Sequence, residues 1–155
     1  MQKKQFFMIV LLTLIDQISK SIIDIYCPLN NSITIINNFF YLTNVYNKGG
    51  AWSILSKYPI ILIIVSVLVL LIFLRNSKLF QKNKLTKTAF ILLFSGILSN
   101  LIDRLFLGYV RDFLDFKIFN YDYPIFNIAD ILIVVGVILL SIQILKGDEN
   151  HDKNK

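Results

Sequence analysis

The sequence predicts an all-α membrane protein: four transmembrane helices with both termini cytoplasmic, and a small extracytoplasmic β-hairpin or sheet between helices 1 and 2. Three observations carry this expectation. Of 155 residues, 55% are hydrophobic and only 17% charged, with a mean hydropathy of +0.65, a composition far from that of a soluble domain. The apolar residues gather into four runs of roughly span length. The charges fall between those runs, so the net charge of +6 speaks for membrane topology and against nucleic acid as a partner. At roughly 20 residues per span, four helices take about 80 residues and leave no room for a large soluble domain. The organisation expected is one integral-membrane domain over 1–146, with spans at about 6–26, 58–74, 86–108 and 125–145, followed by a polar, disordered cytoplasmic tail at 147–155.

The first run, Phe6 to Tyr26, follows Lys3 and Lys4 but lacks a small-residue cleavage site and carries Asp16 and Lys20, so it reads as a retained span and not a signal peptide. In the connection after it, Ser32 to Ile36 and Phe39 to Tyr46 are rich in Ile, Thr, Phe, Tyr and Val, and Asn37-Asn38 between them suits a turn. This predicts a small hairpin resting on the membrane surface. The second run, Tyr58 to Leu74, is uncharged and reads as a plain packing helix. The third, Thr86 to about Gly108, is apolar until Asn100, Asp103 and Arg104. The fourth, about Ile125 to Leu145, is interrupted only by Asn127, Asp130, Ser141 and Gln143.

Orientation follows from lysine and arginine, which cytoplasmic connections retain. Arg75, Lys78, Lys82, Lys84 and Lys87 cluster without an acid, and both termini bear lysine, whereas Asp24 to Lys57 holds only Lys48 and Lys57. The termini and the middle loop are therefore placed in the cytoplasm. The ends of spans three and four that carry Asp103, Asp112 and Asp130 are placed at the outer face.

The residue inventory narrows the chemistry. A single cysteine, Cys27, excludes an internal disulfide and a cysteine-rich metal site; a single histidine, His151 in the tail, leaves no basis for a His-based zinc site or a Ser-His-Asp triad. No metal and no organic cofactor is called for, and carboxylates are the main candidates for acid–base work. Ionisable groups inside a span cost a few kcal/mol or more each unless paired or hydrated. Asp16 and Lys20, at i and i+4, suit an ion pair that is either structural or functional. Asn100, Asp103 and Arg104, at i, i+3 and i+4, share a helix face and suit a structural network in which they satisfy one another.

Asn127 and Asp130 open the fourth span, where Asp130 could serve simply as an N-cap or first-turn acid. Asp112, in the stretch Tyr109 to Phe116 where acids alternate with large apolar groups, lies at the outer end of span three. A short connection joins it to Asp130, so the two can face each other and share a proton, activating water and protonating a leaving amine. The glycine-rich stretch Asn47-Lys48-Gly49-Gly50-Ala51-Trp52-Ser53 lies on the same face, where its backbone can approach a ligand closely or simply turn before span two.

Five blocks in this order resemble the signature of lipoprotein signal peptidase, the bacterial signal peptidase II family: Asp16-Gln17-Ile18-Ser19-Lys20, Asn47 to Ser53, Ser99 to Leu105, Val110 to Asp115 and Phe126 to Asp130. The resemblance spans nearly the whole chain. It implies an aspartic endopeptidase of the bacterial cytoplasmic (inner) membrane, with its active site at the extracytoplasmic face. Such an enzyme cuts diacylglyceryl-modified prolipoproteins just before the lipidated cysteine. The catalytic acids would be Asp112 and Asp130; Asn47, Gly49, Asn100, Arg104 and Asn127 would contact substrate or support the dyad; Asp16, Lys20 and Asp103 would form a structural network. The partners implied are prolipoprotein substrates and membrane lipids, with the protein a monomer. Gly50 departs from the alanine common in the family, and Phe94 to Ser99 is less glycine-rich than usual; both concern local helix packing, not the acids. The reading from a different class is a small proton-coupled transporter or channel subunit, which would also hold buried acids. Its polar residues should line a path across the membrane, whereas here most gather near one face.

Overall fold

Helix α1 (Lys3–Tyr26) leads into a hairpin of β1 (Ser32–Ile36) and β2 (Phe40–Asn47), followed by α2 (Pro59–Arg75), α3 (Lys84–Phe106), β3 (Val110–Ile118), β4 (Tyr121–Asp122) and α4 (Ile128–Asp152). The structure, a computed structural model, describes residues 2–50, 54–78, 80, 83–118 and 121–152. Ala51, Trp52 and Ser53 of the glycine-rich block, and Lys82 of the basic loop, lie outside the described residues.

Local chemistry sets the helix ends. Pro59 opens α2 at a position whose N–H has no intrahelical partner to lose. Asn83 caps α3 by accepting from the Thr86 N–H at 2.9 Å. At the other end of α3, Gly108 adopts φ +81°, a left-handed conformation that closes the helix and turns the chain into β3 four residues before Asp112. That turn aims the strand.

The four helices match the four expected runs. Helices α1, α3 and α4 are long and apolar enough to cross a bilayer; α2, with 17 residues, is a shorter apolar helix. Helix α3 is central, packed against α1, α2 and α4, and its core contacts include Phe90, Phe94 and Leu101 with Ile9 of α1 and Leu70 of α2. Leu70 is the one buried side chain of α2; Ile60, Ile64, Leu68, Leu71 and Ile72 all remain exposed. An apolar surface of this extent is suited to lipid.

Two expectations are corrected. The chain is mostly helical with a small sheet, as expected, but that sheet is not confined to the connection between α1 and α2: besides the expected β1–β2 hairpin, which turns at Asn38 with φ 58°, the connection after α3 supplies β3 and β4, completing a four-stranded antiparallel sheet in the order β1-β2-β3-β4. The physical reason is that Val110 to Ile118, rich in Val, Phe, Leu and Ile, suits a strand and meets β2 once Gly108 has turned the chain. The polar tail is not disordered from Gly147 onward: α4 runs to Asp152, because extending an existing helix needs no new nucleus. Under the sheet, Phe113 packs with Ile23 and Cys27, tying β3 to the end of α1.

Candidate active site

Asp112 stands on β3, opposite Val45 of β2, and Asp130 stands in the first turn of α4. Asp112 is therefore on a strand and not at the end of a span. Both acids line one cavity of about 490 Å³, together with Asn47, Asn100, Arg104 and Phe126. The rest of its wall is mostly apolar, including Ile131 and Val134 of α4.

Asp112 is 3% exposed and accepts two amide hydrogen bonds: from Asn47 Nδ2 to Oδ2 at 3.0 Å, and from Asn127 Nδ2 to Oδ1 at 2.7 Å. Burial, and then the negative charge of Asp130, push its carboxyl up to about 7, against these two bonds, which favour the ionised form. Asp130 caps its helix and also lines the cavity. Its Oδ2 accepts from the Asn127 N–H at 3.3 Å while Asn127 Oδ1 accepts from the Asp130 N–H at 3.0 Å, a reciprocal cap on α4. Its Oδ1 accepts from Asn100 Nδ2 at 2.8 Å, on the wall of the cavity.

The other predicted residues fall around these two acids. Asn47 Oδ1 accepts from the Gly49 N–H at 2.8 Å, and the Gly49 carbonyl accepts from Arg104 Nη2 at 3.1 Å, so the glycine-rich segment is clasped between β2 and α3. Arg104 Nε is buried without a hydrogen-bond partner among the described residues, which leaves an unused donor on a side chain that lines the cavity. A side chain at Gly50 would meet nothing nearer than the Ile54 carbonyl at 3.7 Å, so the departure there is sterically neutral. Among the described residues, no group of three or more His, Cys, Asp or Glu could hold a metal ion.

Asp16 and Lys20 form the expected ion pair at 2.7 Å, both fully buried. Asp16 also accepts from Ser99 Oγ at 2.6 Å and from the Ala129 N–H at the start of α4 at 2.8 Å. The expectation that Asn100, Asp103 and Arg104 satisfy one another is corrected, because each turns to a different element. Asn100 meets Lys20 and Asp130, Asp103 meets Lys20 and Arg111, and Arg104 meets Gly49. Neighbouring helices offered better-placed partners than the same helix face did.

Sequence reasoning missed Arg111. Its guanidinium, turned away from the cavity, contacts Asp103 through Nη2 at 2.8 Å and Nε at 3.3 Å, Gln17 Oε1 at 2.9 Å, Ser21 Oγ at 3.2 Å and Asp24 Oδ2 at 3.4 Å. Its own N–H donates to Asp103 Oδ2 at 3.1 Å. Burial alone would lower its pKa, but Asp103 and Asp24 outweigh it and hold the guanidinium above its ordinary value. The signal was the strand itself: alternation sends Arg111 and Asp112 to opposite faces.

The model of the family described as signal peptidase (SPase) II matches residues 8–146. A lipoprotein signal peptidase of Staphylococcus aureus (strain JH9) is 39% identical over 150 residues, covering 94% of this chain and 90% of that protein. Another from Staphylococcus aureus is 40% identical over the same shares. A solved structure described as "Bacterial membrane enzyme structure by the in meso method at 2.3 A resolution" superposes with a TM-score of 0.85 at 37% identity, covering 95% of this chain and 90% of that one. A second, at 1.9 A resolution, gives 0.80 at 37% identity over 92% and 93%. With the family match running from α1 through α4 and the fold shared along nearly the whole length, the chain belongs to the signal peptidase II family.

Proposed function

We propose that this membrane protein is an aspartic endopeptidase that removes the signal peptide from diacylglyceryl-modified prolipoproteins, cutting just before the lipidated cysteine, with Asp112 and Asp130 as its catalytic dyad. The observation that carries the reading is that two carboxylates from different elements line one largely apolar cavity, with Asp112 buried and its carboxyl held up to about 7. One carboxylate takes a proton from water as the water oxygen attacks the scissile carbonyl carbon. The other, protonated, hydrogen-bonds the carbonyl oxygen. When the resulting tetrahedral species collapses, the C–N bond breaks and the leaving amine is protonated from the dyad. The chain's own carboxyls supply both proton acceptor and donor, so the step requires no metal or cofactor.

Asn47 and Asn127 hold Asp112, and Asn100 and Asn127 hold Asp130. Arg104 lines the cavity and holds the Gly49 carbonyl, which fixes the glycine-rich segment beside it. Asp16, Lys20 and Asp103 form the supporting network. All four helices cross the bacterial cytoplasmic membrane, the termini and the loop around Lys84 face the cytoplasm, and the dyad works at the outer face as part of a monomer.

The direct experiment is cleavage of a lipidated precursor by the purified protein in detergent, with Asp112→Asn and Asp130→Asn as variants. Each near-isosteric change removes proton transfer and should abolish hydrolysis in protein that remains folded. Near-parental turnover by either folded variant would overturn the dyad, and equal turnover of an unlipidated precursor would overturn the substrate requirement. Impermeant thiol labelling tests the topology: Asn38→Cys should react from outside and Lys84→Cys should not.

A further inference from the structure

A second cavity, of about 430 Å³, meets the first at Asp112. The two share Asn47, Asp112, Pro124 and Ile125, and the second adds Tyr46, Lys48 and Ser56. Their walls differ in kind. The first is built in part from α3, through Asn100 and Arg104, and from α4, through Ile131 to Val135. The residues lining the second all lie on β2, on β3 or in the connections that precede α2 and α4, and no helix contributes among the described residues. Asp112 therefore sits at the boundary between a helix-walled apolar chamber, which also holds Asp130, and a cleft walled by strand and connection that carries one exposed cation.

The substrate proposed above has a matching asymmetry, and the present inference rests on that reading. The apolar signal segment lies before the scissile bond, the acyl chains hang from the cysteine immediately after it, and beyond that cysteine the chain is polar. A peptide drawn across the dyad must leave one end on each side of it. The apolar parts belong with the helices, and the polar chain can leave only where no helix stands.

We propose that the second cleft receives the first residues of the mature chain beyond the acylated cysteine, and that Lys48 makes it favour an acidic side chain there. The other charges facing this cleft do not cancel that preference. Asp112 belongs to the dyad, and Asp24, which lies near Tyr46, is already paired with Arg111 and with Asn44 Nδ2. Because Lys48 is exposed, its effect is that of a solvated charge: about two- to fivefold in kcat/KM between substrates of opposite sign, and less at high salt.

The test uses the purified full chain and three diacylglyceryl-cysteine peptides that differ only in the residue after the cysteine: aspartate, serine or lysine. The expected order of kcat/KM is aspartate, then serine, then lysine at low salt, narrowing at 0.5 M salt, with Lys48→Glu inverting the order. An unchanged order in Lys48→Glu, or no spread in the parent, would overturn the assignment. If Lys48→Glu cleaves none of the three, Lys48→Gln takes its place and must flatten the order; a retained order sinks the proposal. Failure of the peptidase reading is a separate outcome, in which the parent chain does not cleave even the serine peptide.

Discussion

The Lys20 ammonium donates to Asn100 Oδ1 at 2.9 Å, while Asn100 Nδ2 donates to Asp130 Oδ1 at 2.8 Å. An ammonium can only donate, so the amide has one admissible orientation, and it is the one that presents a donor to the acid. Asn127 Nδ2, which also donates to Asn100 Oδ1 at 3.2 Å, enforces the same choice. Lys20 thus reaches Asp130 through another residue.

Lys20→Met, made together with Asp16→Asn so that no lone acid is left buried, should lower kcat more than it raises KM. A hydrogen bond to a charged group contributes about 1.5–3 kcal/mol, which corresponds to roughly 10- to 100-fold in rate when the donor turns away. Asn100→Leu should show the same split. Steady-state kinetics on lipidated peptide checks both, and a loss confined to KM would argue that Asn100 only binds substrate.

The raised Asp112 carboxyl has consequences at both ends of the pH scale. Since the dyad works with one proton, activity should fall as pH rises through about 7 and fall again in acid, the two limbs belonging to the pair. Stability should respond too. A carboxyl that titrates at 3.8 unfolded and about 7 folded binds its proton more tightly in the native state, so the native state loses about 4 kcal/mol between those values as pH rises, with no further loss above them. Asp112→Asn abolishes that dependence. Its melting temperature in detergent, relative to the parent, should climb from pH 4 to pH 7 and then level off, and a constant difference would show that the acid ionises freely in the native state.

Gly96 is where α3 and α4 touch. A Cβ there would strike the Ala129 carbonyl and lie 2.7 Å from Ile133 Cγ1, and both are on α4 beside Asp130. Gly96→Ala should therefore push the first turn of α4 off α3, costing about 1–3 kcal/mol of stability and lengthening the Asn100–Asp130 contact. Activity should drop tenfold or more. Gly50→Ala, which has room, is the control and should leave the melting temperature unchanged.

Arg111→Lys keeps the charge but cannot reproduce contacts to Asp103, Gln17, Ser21 and Asp24 from a single ammonium. It should retain part of the activity, whereas Arg111→Met, which leaves Asp24 and part of Asp103 uncompensated, should lose most of it. The added negative charge near Asp112 should also move the alkaline limb of the pH profile upward. An unshifted profile in a folded Arg111→Met protein would confine Arg111 to holding the sheet in place.

These residues also mark what a linear reading can and cannot reach. The Asp16–Lys20 pair was legible because its partners lie four residues apart on one helix, and the convergence of Asp112 and Asp130 because each lay in a recognisable block. The hairpin strands were legible from β-branched and aromatic residues around Asn37-Asn38. The strand β3 was not, although its Val, Phe, Leu and Ile residues were visible, because its partner β2 lies far away across two helices. The network around Asp103 was not legible either: Arg111 lies eight residues along but reaches Asp103 only after Gly108 reverses the chain, and Gln17 and Lys20 come from another helix altogether.

The placement of those charges bears on how the chain is made. Asp16 and Lys20 neutralise each other within one helix, so α1 can enter the bilayer during synthesis as a self-sufficient segment. Asp103 has no such partner on its own helix, since Arg104 is turned to Gly49. Its charge is met only when α1 has docked and β3 has folded back, bringing Lys20 and Arg111 to it. Before the helices assemble, Asp103, near the end of α3, has only Arg104 and water to meet its charge. The same buried charges that surround Asp130 therefore tie helix to sheet: one carboxylate, Asp103, clasps α1 through Lys20 and β3 through Arg111 at once.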